Sequence, residues 1–432
     1  MRILKYTAII LGAFIALVFV LIGVLSVTRT TPVRAVIAEG DRGGPPAVSD
    51  PLFPRTLELF TETHLEPGNN VQILLNGDGT YPPIWKDIAS AKRTVTVQMY
   101  YSQPGAVADS MAKYLMERAR ARVRVLVLMD AFGSQPLKGE WVDRLKAAGV
   151  EFAWLRPLRW YTLHKATQRS HVRVIVVDGT VGYTGGFGLA DYWLGDGHHE
   201  EHWRETNVRF VGPSVAALQA AFASGWAEAT GELLTGDMFF PPMAFADGGE
   251  VNAGLMHSIP TIGSTPAERF LALSIAGSRK TLYVSNSYFV PTDDFCNLLI
   301  KAVKRGVDVR VLTVSSKTDV KTTWYAGRAS YEKLLKDGVR IYEYQPTMMH
   351  AKTMVVDGLF SAIGSLNFDN RSLAFNNESQ LLALDPGVGA TMDSIFIDDL
   401  RYAQEMKLET FQKRPWTGKL LEWGAVKLRR IL

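Results

Sequence analysis

His350-Ala351-Lys352-Thr353-Met354-Val355-Val356-Asp357 has a weaker copy upstream, His171-Val172-Arg173-Val174-Ile175-Val176-Val177-Asp178. Each begins with histidine, carries a cation two residues later, runs through apolar residues and ends on Asp-Gly. Alternate residues of a β-strand share a face. Histidine and cation can therefore point together into a cleft while part of the apolar run packs in a core. Two such strands facing each other offer two imidazoles and two cations to one anion, and phosphate is the obvious candidate. The residues that follow strengthen the pairing. His350 leads to Gly364-Ser365, Asn367, Arg371-Ser372 and Asn377-Glu378. His171 leads at the same offset to Gly185-Gly186, with Gly188 where the other copy has Asn367.

The 432 residues suffice for two domains or one large duplicated unit. A hydrophobic content of 47% with 21% charged residues is globular composition. The formal net charge of +4 argues little for nucleic-acid binding and would serve an acidic lipid surface equally well. The single Cys296 excludes an internal disulfide framework and any multi-cysteine metal site. It reads as a packed thiol.

Residues 6–28 are free of charge and rich in Ile, Leu, Val, Phe and Ala. That length predicts a transmembrane anchor over residues 1–30. The apolar core is long for a cleaved signal peptide, and no small-x-small cleavage site follows it. Arg2 and Lys5 outweigh Arg29 and Arg34 flanked by Glu39 and Asp41, which favours a body outside the cytoplasm.

Residues 31–70 read as linker and lead-in, with a Gly/Pro/Asp-rich run at 42–50. A first half is predicted over 71–245, a second over 246–410 and a helical tail over 411–432. Strand-like runs at 94–101, 123–129 and 150–154 alternate with helical ones at 84–91, 106–120 and 141–148. The second half repeats the plan, with strands at 281–289, 306–314 and 338–344 and helices at 266–276, 293–304 and 325–336. This alternation predicts an α/β fold of mostly parallel sheets flanked by helices. Ligands in such sheets gather at the carboxyl ends of strands. Tyr100-Tyr101 and Asn286-Ser287-Tyr288 stand at two of those ends. The Pro-broken apolar stretch 239–245 reads as a cleft cover, a lipid contact or a buried connector. The tail 416–432 mixes Trp, Leu and Ile with Lys and Arg, as an interfacial helix or a helix docked on the body would.

The chain resembles the phospholipase D superfamily, whose signature His-x-Lys-x4-Asp occurs twice, and within it the bacterial cardiolipin synthase branch. The residues that carry the likeness are His350 to Gly358, Ile363-Gly364-Ser365-Leu366-Asn367-Phe368-Asp369-Asn370-Arg371-Ser372 and Asn376-Asn377-Glu378. Supporting stretches are 75–78, 130–134, 203–206, 211–213 and Phe222 with Trp226. The resemblance implies a duplicated phospholipase D-like unit with one active site and no cofactor or metal. It also implies phosphatidyl transfer through a phosphohistidine. His171 resembles the nucleophile, His350 the general acid and then base, and Glu378 the carboxylate that orients a histidine. Neutral imidazole attacks phosphorus while a second, protonated imidazole donates. Lys352, Asn367 and Arg173 would neutralise the phosphoryl oxygens. Asp178, Asp357 and Ser365 would brace the motifs.

Two departures stand out. Arg173 replaces the family lysine with a bulkier planar fork, and Gly188 removes an amide. The expected partners are an anionic phospholipid such as phosphatidylglycerol and the bilayer itself, in a single-pass protein of the bacterial inner membrane. Nucleic acid is not expected, and the oligomeric state is not legible. The leading expectation is a transferase that makes cardiolipin and glycerol from two phosphatidylglycerols. Hydrolysis to phosphatidic acid, or lipid binding with impaired catalysis, stays open beside it.

Overall fold

The computed structural model describes residues 2–27, 32–39, 44–160, 162, 166–242, 246 and 249–432. Parts of three expected features lie outside these: the end of the anchor at 28–30, residues 31 and 40–43 of the linker, and residues 243–245 of the Pro-broken segment. Among the described residues, seven strands come from the first half of the chain. They are β1 (Glu66–Leu75), β2 (Thr94–Met99), β3 (Arg124–Asp130), β4 (Glu151–Leu155), β5 (Val174–Val177), β6 (Val181–Gly185) and β7 (Thr206–Val211). Eight follow: β8 (Val251–Ser258), β9 (Thr281–Asn286), β10 (Asp308–Val314), β11 (Arg340–Tyr344), β12 (Lys352–Val356), β13 (Phe360–Gly364), β14 (Glu378–Leu384) and β15 (Ala403–Met406).

They form one continuous sheet in the order β15-β11-β10-β9-β12-β13-β14-β8-β1-β7-β6-β5-β2-β3-β4. Outward from the β1–β8 seam the same order of strands runs on both sides, with β15 added at one edge. The halves fold toward each other, so that Thr184 Oγ1 on β6 lies 3.0 Å from Ser379 Oγ on β14.

The expectation of mostly parallel sheets is corrected, because most of the pairings are antiparallel. Among the described strands, parallel ladders are confined to β2–β3, β3–β4, β9–β10 and β10–β11. Those pairs need helical crossovers, which Ala106–Arg120, Glu140–Ala147, Asp293–Lys304 and the pair Lys321–Arg328 and Tyr331–Lys336 supply in turn. After β4 and β11 the chain returns to the middle of its half and meanders instead. The Asp-Gly turns make that possible: φ is 53° and 70° at Asp178-Gly179, and 54° and 62° at Asp357-Gly358. Two positive φ values in succession match the twist of a tight hairpin. Each aspartate also fixes the start of a neighbouring strand. Asp178 accepts the N–H groups of Arg93 at 2.7 Å and Thr94 at 3.0 Å, and Asp357 those of Lys280 at 2.7 Å and Thr281 at 2.9 Å.

Burial follows the two-residue period. In β3, Leu126 and Leu128 enter a central core shared by both halves, while Val125, Val127 and Met129 enter an outer core under helices. In β12, Val355 faces the central core while Met354 and Val356 face the second outer core. The helices Ser214–Thr230 and Pro386–Asp399 pack into the central core from the two halves.

The transmembrane expectation is also corrected. The chain forms a helix over Arg2–Val27, but among the described residues no helix is long and apolar enough to cross a membrane. The transmembrane helix and the single-pass inner-membrane placement are set aside on that finding.

Candidate active site

The site is built where the two motifs enter β5 and β12. The N–H of His171 donates to the carbonyl of Asn377 at 2.9 Å, and the N–H of Asn377 donates back to the carbonyl of Arg169 at 2.9 Å. The other motif repeats this, with His350 N–H on the carbonyl of Arg204 at 2.7 Å and Arg204 N–H on that of Met348 at 2.9 Å. Each histidine is thus held by main chain from the opposite half, next to a glutamate. Nδ1 of His171 lies 2.9 Å from Oε2 of Glu378, and Nδ1 of His350 lies 2.6 Å from Oε2 of Glu205. Holding Nδ1 fixes the ring orientation and leaves Nε2 for chemistry.

Two buried ion pairs steady the segments that carry these residues. Arg169 Nη2 meets Asp130 Oδ1 at 2.7 Å, and Arg204 Nε meets Asp399 Oδ1 at 2.8 Å. Both arginines are no more than 2% exposed.

His171, Arg173, His350 and Asn367 line one cavity of about 290 Å³. Tyr100, Tyr101, Trp193, Trp203, Asp369 and Arg371 share its wall. Arg173 donates from Nη1 to the carbonyl of His171 at 2.6 Å. Lys352 does the same to the carbonyl of His350, and its Nζ lies 3.0 Å from Nε2 of that ring. Ser287 Oγ holds Lys352 Nζ at 2.9 Å. Ser365 Oγ donates to Glu378 Oε2 at 2.5 Å and accepts the N–H of Ser379 at 2.9 Å. Asp178 and Asp357 sit at the far ends of β5 and β12, where they brace strands rather than line the cavity.

Burial dominates the electrostatics. It pushes both imidazoles well below the usual histidine range, assisted at His171 by Arg173, Lys352 and Arg371, and at His350 by Lys352 and Arg173. Burial raises Glu205 and Glu378 to about 7, against the pull of nearby cations and donors. Burial also lowers Lys352 to about 7, with Glu205 opposing the shift. Removed from water and set among cations, both rings are neutral near neutral pH, as an attacking nitrogen must be.

Sequence reasoning gives no role to Glu205, Trp193 or Arg371. Glu205 had a usable signal: Glu205-Thr206 and Glu378-Ser379 both lead into an antiparallel strand after the motif. Arg371 lies within the quoted run and joins Arg173 as a cation on the cavity wall.

Trp193 explains the Gly188 departure. A Cβ on Gly188 would lie 2.7 Å from the Trp193 ring and 2.7 Å from the carbonyl of Tyr101. The indole packs edge-to-face on His350 at 5.3 Å and donates to Glu205 Oε2 at 3.3 Å. The first half has thus exchanged an amide on the cavity wall for an aromatic one that supports the Glu205–His350 pair. Restoring asparagine at 188 is therefore expected to destabilise the fold by about 1–3 kcal/mol through overpacking and to leave turnover no higher. Thermal denaturation and a rate assay of G188N check this; a faster enzyme of unchanged stability contradicts it.

Comparison with known proteins agrees with this geometry. A family model described as "Cardiolipin synthase, PLD-like domain" matches residues 84–226 and again 271–400. The chain is 32% identical to cardiolipin synthase of Geobacillus kaustophilus, over 81% of this chain and 70% of that protein. It is 31% identical to cardiolipin synthase A of Pseudomonas syringae, over 86% and 79% respectively. Among solved structures, phosphatidylserine synthase of Haemophilus influenzae superposes with a TM-score of 0.67 at 12% identity, covering 88% of this chain and all of that one. That last likeness shows the fold alone. With two family matches that each contain one histidine motif, the chain belongs to the cardiolipin-synthase-like branch of the phospholipase D superfamily and is an enzyme of phosphodiester chemistry.

Proposed function

We propose that the protein is a phosphatidyltransferase that joins two phosphatidylglycerols into cardiolipin and glycerol. The observation that carries this reading is the reciprocal pairing of His171 with Glu378 and His350 with Glu205 around one cavity lined by cations. Nε2 of His171 attacks phosphorus, and the bond from phosphorus to the departing glycerol oxygen breaks. Protonated His350 gives that oxygen its proton. The phosphatidyl group then rests on His171. His350, now neutral, takes a proton from the hydroxyl of the second phosphatidylglycerol, whose oxygen attacks phosphorus and frees His171.

His350 must be protonated for the first step, although burial and neighbouring cations hold its pKa low. An incoming phosphodiester anion offsets Lys352 and Arg173 and favours the imidazolium. Arg173, Lys352, Asn367 and Arg371 are the groups available to balance charge on the phosphoryl oxygens. Trp193 and Trp203, with ring centres 5.3 and 5.2 Å from that of His350, supply an apolar wall that disfavours water as acceptor.

Purified protein incubated with vesicles containing phosphatidylglycerol tests the reading by its products. Cardiolipin with glycerol supports it, whereas phosphatidic acid as the main product, or no product, overturns it. The acid–base behaviour follows from the same charges. With Lys352 lowered to about 7, kcat/KM is expected to fall as pH rises through about 7, because the free enzyme loses a cation that attracts phosphate. The acid limb belongs to the nucleophile His171, whose depressed imidazole stays neutral to below the usual histidine range. Lys352→Arg keeps its charge and is expected to shift the alkaline limb upward. A kcat/KM that stays flat from about pH 6 to 8 contradicts the assignment.

A further inference from the structure

The helix Trp416–Val426 is amphipathic the wrong way round for its place on the body. Its inward face carries a charge: Glu422 is 3% exposed and accepts hydrogen bonds from Arg414 Nη2 at 2.6 Å and Nε at 2.9 Å. Its outward face is apolar. Trp416, Leu420 and Trp423 are 73%, 54% and 63% exposed, and with Lys427 they form one stripe at helical spacing. Leu421 adds to the apolar patch and Lys419 flanks it. Large exposed apolar patches rimmed by polar groups mark interaction surfaces.

Charge and position identify the partner. The exposed ionic side chains of this segment, Lys413, Lys419, Lys427 and Arg430, are all cations, while its glutamate is buried. Exposed tryptophan beside lysine suits the headgroup boundary of a bilayer, and the cations suit anionic lipid. The patch is also continuous with the cavity mouth. Past the helix, the carbonyl of Arg430 accepts a hydrogen bond from Asn370 Nδ2 at 2.7 Å, and Ile431 and Leu432 line the histidine cavity. Phe132, 57% exposed, and Val320 extend the apolar rim on the other sides.

We propose that the outer face of Trp416–Val426 and the adjoining cavity rim seat on an anionic phospholipid bilayer, bringing the histidine cavity to the headgroups it draws from. The assignment rests on lipid being the substrate and adds how the enzyme reaches it: from the surface, along this face.

Hydrogen exchange on the full chain reads the segment directly, with binding elsewhere on the protein left out of the signal. With vesicles of phosphatidylglycerol and phosphatidylcholine, residues 416–426 are expected to gain protection, and with phosphatidylcholine alone to gain much less. The triple variant W416S/L420S/W423S touches only exposed side chains. It is expected to lose this protection and at least about tenfold in turnover of bilayer lipid, while turning over short-chain phosphatidylglycerol dispersed as monomers at the parental rate. Exchange unchanged by vesicles overturns the proposal. So does protection that appears with protein concentration in the absence of lipid, which would make a second copy the occupant. A transferase that fails to make cardiolipin leaves the exchange result readable, so the two readings fail separately.

Discussion

Exchange of His171 for asparagine is expected to reduce turnover by at least about 10⁴-fold, since it removes the nucleophile while His350 is committed to proton transfer. His350→Asn is expected to lose a comparable amount on natural lipid, for a different reason. Its departing alcohol needs a proton, and its incoming alcohol needs a base. The two variants therefore separate on an ester with a nitrophenolate leaving group, which departs without protonation. H350N still forms the phosphohistidine on that substrate but cannot pass the group on quickly, so a burst of nitrophenolate accompanies a stalled adduct. H171N gives neither. Equal bursts from both variants contradict the division of labour. Both rings are nearly buried, at 6% and 5% exposure, and asparagine keeps much of their polarity, so thermal denaturation controls for damage to the fold.

The second large effect belongs to a residue that the sequence leaves in the background. Glu205 approaches His350 Nδ1 at 2.6 Å and also accepts the indole N–H of Trp193. Glu205→Gln removes the carboxylate that fixes the tautomer and favours the imidazolium, and is expected to cost about 10²–10⁴ in kcat, by analogy with the carboxylate of a catalytic triad. A positioning role predicts more than a slower enzyme. E205Q should lose the His350-dependent step selectively, so the burst on a nitrophenyl ester survives while release from His171 slows. Glu205→Asp should restore part of the rate. A uniform loss of both phases together with a lowered melting temperature would make Glu205 a purely structural support.

What the sequence reveals is set by how local the causes are. His350, Lys352, Asn367 and Glu378 announce themselves because their motif is contiguous and repeated. The Asp-Gly ends of the motifs are legible as turns, and the helix expected at 106–120 occurs as Ala106–Arg120. Direction of pairing is not local. Alternating strand and helix suggests parallel sheets, yet the meanders after β4 and β11 place antiparallel strands at the heart of each half. The seam itself is easily missed, for β1 carries Pro67-Gly68 and polar Asn69-Asn70, which weaken any strand pattern. One expected helix at 325–336 is two, Lys321–Arg328 and Tyr331–Lys336, and the break leaves Arg328 Nη1 2.6 Å from Glu343 Oε1. Glu205 and Trp193 act across the halves or through space on a ring they never neighbour in sequence. Gly188 reads as a loss until Trp193 is seen in the space beside it.

The central claim is that one histidine from each half, held by a glutamate from the other, makes a single site in which His171 carries the phosphatidyl group. Rapid alkaline quenching of the enzyme, which preserves the acid-labile bond from phosphorus to nitrogen, during turnover of phosphatidylglycerol or its nitrophenyl ester, followed by mass spectrometry of the peptides, tests it most directly. The account predicts a phosphatidyl adduct on His171 that, with the nitrophenyl ester as donor, accumulates in H350N and E205Q and is absent from H171N. An adduct on His350 with His171 unmodified, or full turnover in H171N, would contradict it.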